Sequence, residues 1–143
     1  MTPNQKKYLF ISVKPEFADK IIEKEKNIEL RKSRPKVLKG DIIIIYSSSP
    51  FRAVVGYGKI SDIIECDPKE MWRKHSKMLG IDRSRFFDYY KEKDRAIGIV
   101  IKDVVKIKPI SLAELRCVDP HFHPPQVYKY VSTQIIKMIS ISS

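Results

Sequence analysis

The sequence predicts an α+β fold, a small mixed β-barrel of about five to six strands with helices on its flank. Three observations point to it. β-branched and aromatic runs recur at strand length. One of the long runs carries Gly56 and Gly58 inside it, as a strand does where it bends at a barrel corner. Strands and helices do not alternate, which speaks against a doubly wound parallel sheet.

Tyr8-Leu9-Phe10-Ile11-Ser12-Val13 reads as the first strand. Pro15 opens a helix, with Phe17, Ala18, Ile21 and Ile22 on one apolar face. From Asn27 to Arg31 the pattern alternates, Ile28 and Leu30 pointing one way, Glu29 and Arg31 the other. Asp41 to Tyr46 is nearly all apolar, a central strand buried on both faces, and Ser47-Ser48-Ser49-Pro50 breaks it. Phe51 to Glu65 is a long strand. Asp67-Pro68-Lys69-Glu70 starts a helix that runs to about Leu79 and stops at Gly80. Asp82 caps another, carrying Phe86, Phe87 and Tyr90. Arg95 to Lys108 is a second long strand, and Ser111-Leu112-Ala113-Glu114 a capping box. Pro120 to Pro125 is a loop. Beyond it, Val127, Val131, Ile135 and Met138 make a helical stripe, or Tyr128 to Val131 is a short strand before a helix capped at Ser132. No linker or repeat divides the chain, so residues 1–143 read as one domain with a helical insert at about 67–93.

The 143 residues carry a net charge of +11 and 43% hydrophobic residues, enough for a core and too many for general disorder. No apolar run reaches the ~18 residues of a membrane span, and none of signal-peptide length follows Met1 to Lys7. Cys66 and Cys117 make no disulfide framework, so a reducing cytoplasm is the expected setting. Residues 1–39 hold 11 basic and 5 acidic residues; within them Arg31 to Lys39 holds five cations and no acid. A mobile basic loop of this kind, with Lys32, Arg34 and Lys36, suits contact with a phosphate backbone.

Lys24 to Arg31 leaves a helix and enters a strand. Glu29 and Arg31 share a strand face, and Lys26 at the turn can reach the same side. A carboxylate between two cations stays ionised and orients them, and a buried lysine beside it can donate to a base or phosphate or act as a general base.

This pattern resembles the ASCH domains (activating signal cointegrator homology) of the PUA-like superfamily, whose motif reads Gly-x-Lys-x-x-Glu-x-Arg after an amphipathic helix. Lys26, Glu29 and Arg31 match it, and Lys24 stands where the family has its glycine. Gly40-Asp41 through Tyr46, Val55-Gly56-Tyr57-Gly58, and Pro124-Pro125-Gln126-Val127-Tyr128 are also similar to family segments. The resemblance implies a PUA-like β-barrel with a cleft between the motif helix and the strands, binding RNA or a modified nucleobase. One related group is similar to amidohydrolases that deacetylate N4-acetylcytidine with a Lys, a Thr and a Glu. Glu29 stands where that group has the Thr, so the hydroxyl nucleophile is missing here. Ribonuclease activity has also been associated with relatives.

The expected ligand-binding set is therefore Lys26, Glu29, Arg31, Lys32, Arg34, Lys36, Tyr46, Ser47, Ser48, Ser49, Gln126 and Tyr128, with Lys26 as base and Glu29 as acid or orienter if the protein is an enzyme. Ser47 to Ser49 follow a strand end, where a barrel opens onto its cleft, although they also suit an ordinary turn. His121 and His123, with Asp119 and Cys117, lack a second paired motif, so no metal is expected. Trp72, Phe86, Phe87, Tyr89 and Tyr90 fall at helical spacing and read as packing; Tyr128 and Tyr130 are better placed to stack on bases. The leading expectation is a cytoplasmic module binding RNA or a nucleoside-like ligand without a cofactor. The alternatives are a hydrolase of modified nucleosides or RNA, and a transcriptional regulator whose basic face meets DNA or an acidic protein.

Overall fold

The first apolar run forms β1 (Tyr8–Val13), which lies parallel to β3 (Ile42–Ser47), Tyr8 opposite Ile42 and Val13 opposite Ser47. The computed structural model describes residues 6–142. Residues 1–5, where the reading of the N-terminus for a secretion signal begins, lie outside that range. Ile43, Ile44 and Ile45 are fully buried, as a central strand covered on both faces requires. The other strands are β2 (Ile28–Arg31), β4 (Ala53–Cys66), β5 (Ala96–Ser111) and β6 (Tyr128–Tyr130). The sheet order is β2-β5-β4-β3-β1-β6, and every pairing except β1 with β3 is antiparallel.

The expected barrel is present as a curled half-barrel. Register breaks at Ile45/Tyr46 in β3 and at Val54/Gly56, Tyr57/Lys59 and Ile60/Asp62 in β4 supply the curl, since an extra residue on one strand bends it and raises its twist. Gly56 sits at one break. A Cβ there would lie 2.5 Å from both the Ile22 side chain and the Val105 carbonyl, so only glycine lets the first helix press onto this bend.

Among the described residues five α-helices cover the sheet. α1 (Pro15–Ile22) buries Ala18 and Ile21 against the concave core of Leu9, Ile11, Ile43, Ile45, Ile60 and Ile99. α4 (Leu112–Val118) and α5 (Thr133–Ser142) cover the opposite face, where Leu115, Ile135 and Ile139 meet Phe10, Ile44, Tyr46 and Phe122. The capping box at Ser111 and Glu114 forms in full. The C-terminal alternatives resolve in favour of a short strand followed by a helix, with Ser132 Oγ accepting from the Ile135 amide. The insert is α2 (Pro68–His75) and α3 (Arg83–Tyr89), capped by Asp67 and Asp82. α2 stops earlier than its sequence pattern, because Ser76–Met78 tightens into a 3₁₀ turn. Phe86 and Tyr90 pack with Met71, Leu79, Ile28 and Leu30 in a third core, which plants the insert on β2. No helix among the described residues is long and apolar enough to cross a membrane.

The candidate ligand cavity

β2 and β6 are the two free edges of the sheet, and the curl brings them towards each other. Arg31 at the end of β2 bridges the seam. Its Nη2 donates to the Ser12 carbonyl of β1 at 3.0 Å, and its Nη1 to the Val127 carbonyl just before β6 at 3.1 Å. Beneath this bridge lies a cavity of about 780 Å³, large enough for a nucleotide.

Lys26, Glu29 and Arg31 converge on the cavity as the sequence pattern requires. Glu29 Oε2 meets Arg31 Nη2 at 2.9 Å, and Glu29 Oε1 lies 3.8 Å from Lys26 Nζ. Lys26 is 3% exposed and Glu29 7% exposed, so the pair is a buried one. Lys26 also donates to the Leu79 carbonyl of the insert. Burial holds the Lys26 ammonium below its ordinary pKa, and the Glu29 carboxylate only partly offsets this. Lys24 adopts φ +65°, the left-handed conformation that the family's glycine would supply, and the chain turns there without it. Gly80, at φ +63°, presses on Lys26. A Cβ there would stand 2.7 Å from Lys26 Cβ.

Arg31 lines the cavity and also braces the seam. Its Nη groups are occupied by Glu29 and the two carbonyls, so it acts as a strut, and only Nε is left without a partner. The Ser12 hydroxyl, also in the lining, is likewise buried and unbonded. Both atoms are enclosed by the protein, with less than 1 Å² of each accessible.

The remaining expected residues divide. Tyr46, Ser48, Ser49 and Gln126 line the cavity, with Pro124 and Pro125 beside Gln126. Tyr46 is 2% exposed, and burial raises its hydroxyl pKa. Ser47 is buried in β3 and stands outside the lining. Tyr128 pairs with Ile11 and packs on the concave core, so it too is outside. The basic loop is pinned rather than mobile. Pro35 and Val37 are buried, and Asp41, itself buried, accepts from the Leu38 and Lys7 amides. The loop runs away from the cavity: Arg34 pairs with Glu65, and the Lys36 carbonyl meets Tyr130 near the far end of β1. Lys32 alone stays at the rim, its ammonium 4.5 Å from the centre of the Tyr89 ring.

Sequence reasoning missed several lining residues. Lys14 and Arg52 form no ion pair among the described residues and are the free cations of the cavity. α3 supplies a wall of Arg85, Asp88 and Tyr89, so the insert builds part of the site. Arg85 joins α3 to α1 through Glu16, at 3.0 and 2.7 Å. Phe17 lies in the lining with Lys20, Lys26 and Arg85 each within 6 Å of its ring centre, at 5.9, 5.3 and 5.4 Å. Ser12 had a sequence signal, a polar residue inside an otherwise apolar strand. The α3 wall had none, because its place beside β2 is set by packing. Among the described residues no three His, Cys, Asp or Glu side chains converge as a metal site.

Comparison with known proteins bears on the family and the fold. A protein of Zymomonas mobilis subsp. mobilis described as an ASCH domain-containing ribonuclease is 27% identical over 139 residues, covering 96% of this chain and 94% of that one. The crystal structure of ASCH from Zymomonas mobilis superposes with a TM-score of 0.91 at 26% identity, over 97% of this chain and 98% of that one. A large ribosomal subunit protein of Ureaplasma parvum serovar 3 is 32% identical over 110 residues, 74% of this chain but 34% of that protein. The N-terminal domain of Staphylothermus marinus McrB shares the fold alone, with a TM-score of 0.66 at 13% identity over 96% of this chain and 95% of that one. Residues 11–111 match the ASCH domain, which spans the motif helix, the seam strut and both long strands, and the chain belongs to the ASCH domain family with its PUA-like fold.

Proposed function

We propose that the chain binds single-stranded RNA, that one nucleotide enters the cavity, and that the adjoining phosphodiester is cleaved there. The observation that carries the reading is a nucleotide-sized cavity in which Lys14 and Arg52 form no ion pair among the described residues while Phe17 and Tyr89 offer aromatic surface. Unpaired cations suit a phosphate, and aromatic faces suit a base. The curated relative named as a ribonuclease, matching nearly end to end, supports cleavage over binding alone. The ribosomal relative supports RNA as the polymer.

In this reading Arg52 and Lys14 hold the phosphate, and the Lys26–Glu29–Arg31 group faces the sugar and base. Lys26 takes the proton of the ribose 2′-hydroxyl in the fraction of molecules where its amine is neutral. The 2′-oxygen then bonds to phosphorus as the bond to the 5′-oxygen breaks, and water protonates the departing 5′-oxygen. The products are a 2′,3′-cyclic phosphate and a 5′-hydroxyl. Arg52 stabilises the charge that builds on the phosphoryl oxygens. Since burial lowers the Lys26 pKa, cleavage rises with pH as that amine deprotonates.

Labelled single-stranded RNA, titrated across salt and followed for product, tests this. Two phosphate contacts give a log–log salt slope of about −1.4. Arg52→Ala weakens binding, and Lys26→Ala abolishes cleavage while leaving binding mostly intact. A flat salt response sinks the phosphate assignment. Salt-dependent binding with no product from RNA, or product from acylated nucleosides instead, replaces the ribonuclease by a binding module or an amidohydrolase. Tighter binding to duplex DNA than to RNA turns the reading towards a DNA-binding regulator.

A further inference from the structure

The turn between β3 and β4 makes two choices that folding alone does not favour. Phe51 leaves its ring 55% exposed, one of the most exposed large apolar side chains described. Next to it, Arg52 holds φ +56°, a conformation that glycine or asparagine adopts with less strain. The turn is nonetheless fixed. The Phe51 and Arg52 amides both donate to the Ser48 carbonyl, at 3.1 and 3.4 Å, and the Arg52 carbonyl accepts from the Leu112 amide at 3.0 Å. Ser48, Ser49 and Arg52 of this same turn line the cavity, whereas Phe51 lies just outside the lining. Strained backbone that its surroundings hold in place tends to cluster at ligand sites.

We infer that Phe51 is a stacking platform for the base of the nucleotide that follows or precedes the one in the cavity. The inference rests on the RNA reading above and extends it to a second subsite. Arg52 sits between the two positions, where the phosphate linking two nucleotides would pass. Adjacent residues are only about 3.8 Å apart along the chain, so cation and ring serve one dinucleotide step. A stacking platform tolerates any base, because every base presents a flat face. The ligand class is therefore an oligonucleotide, with sequence selection left to the cavity. An exposed ring in a rigid turn is also ordered beforehand, so stacking a base on it requires little further ordering.

Phe51 is exposed and supports no core, so its substitution leaves folding intact. The test compares a mixed-sequence single-stranded RNA tetranucleotide with nucleoside monophosphates. Phe51→Ala and Phe51→Leu weaken tetranucleotide binding about tenfold and leave monophosphate binding unchanged. Phe51→Trp retains the affinity, and its added indole fluorescence is quenched by the tetranucleotide. Equal affinity of Phe51→Ala and the wild type for the tetranucleotide overturns the platform while the cavity reading stands. Equal losses for both probes overturn it too, since the ring then acts through the shape of the cavity. Failure of the wild type to bind either probe removes the RNA reading and this subsite together.

Discussion

Lys26 and Glu29 form a buried pair whose two members have opposite expected effects on stability. At 3.8 Å and an effective dielectric of about 20, their attraction is about 4 kcal/mol. Against it stands the desolvation of the ammonium, several kcal/mol for a buried ion, and repulsion from nearby cations. The lowered Lys26 pKa, with burial as its largest cause, says that the costs exceed the attraction. When Lys26 becomes Met, Glu29 keeps Arg31 at 2.9 Å, and the apolar chain fills the same channel against Phe17 and Gly80. The Leu79 carbonyl loses its donor, which trims the gain. Lys26→Met is expected to fall between neutral and about 1 kcal/mol more stable, up to about 3 °C in Tm. Glu29→Gln instead leaves the buried Lys26 and the partly buried Arg31 without their carboxylate and costs about 3 kcal/mol, roughly 10 °C. Urea unfolding and calorimetry on both variants measure the difference.

The pH dependence follows with a definite sign. The folded Lys26 pKa is below the unfolded value, so between the two the unfolded state binds more protons and stability rises with pH. The penalty is complete below the folded pKa and gone above the unfolded one. Lys26→Met removes that rise. A Lys26→Met protein destabilised as much as Glu29→Gln, or one that keeps the rise, would show that the ammonium is a net structural asset and refute the reasoning.

Two further outcomes follow from the same neighbourhood. Lys24→Gly relieves the left-handed strain at the end of α1 and stabilises by about 0.5–1 kcal/mol after the added freedom of the unfolded chain is counted, measurable as a shift in urea midpoint without a change in slope. Gly80→Ala strains a φ of +63° and drives a Cβ into Lys26, so it lowers both stability, by about 2 kcal/mol, and the proposed RNA cleavage; cleavage by the wild type that this variant leaves unchanged would separate the insert from the site.

Much of the site could be read locally. The two-residue repeat of β2 put Glu29 and Arg31 on one face, and the position of Lys26 at the turn brought it to the same place. The serine run after β3 marked a strand end at the cavity, and Ser48 and Ser49 are there while Ser47, still in the strand, is not. The curl was legible from Gly56 and Gly58 because a glycine inside a strand has few other uses. Contacts between distant segments were not legible. That Arg31 spends its guanidinium on Ser12 and Val127, 19 and 96 residues away, depends on how far the sheet curls. The α3 wall at Arg85, Asp88 and Tyr89 depends on a core of Phe86, Leu79 and Ile28 that no local pattern encodes. The sequence alone determined which residue types stand on each strand face and where the chain turns, because those follow from backbone periods of a few residues. Only the tertiary structure decided which cations remain unpaired, because pairing depends on the distance between side chains far apart in the chain.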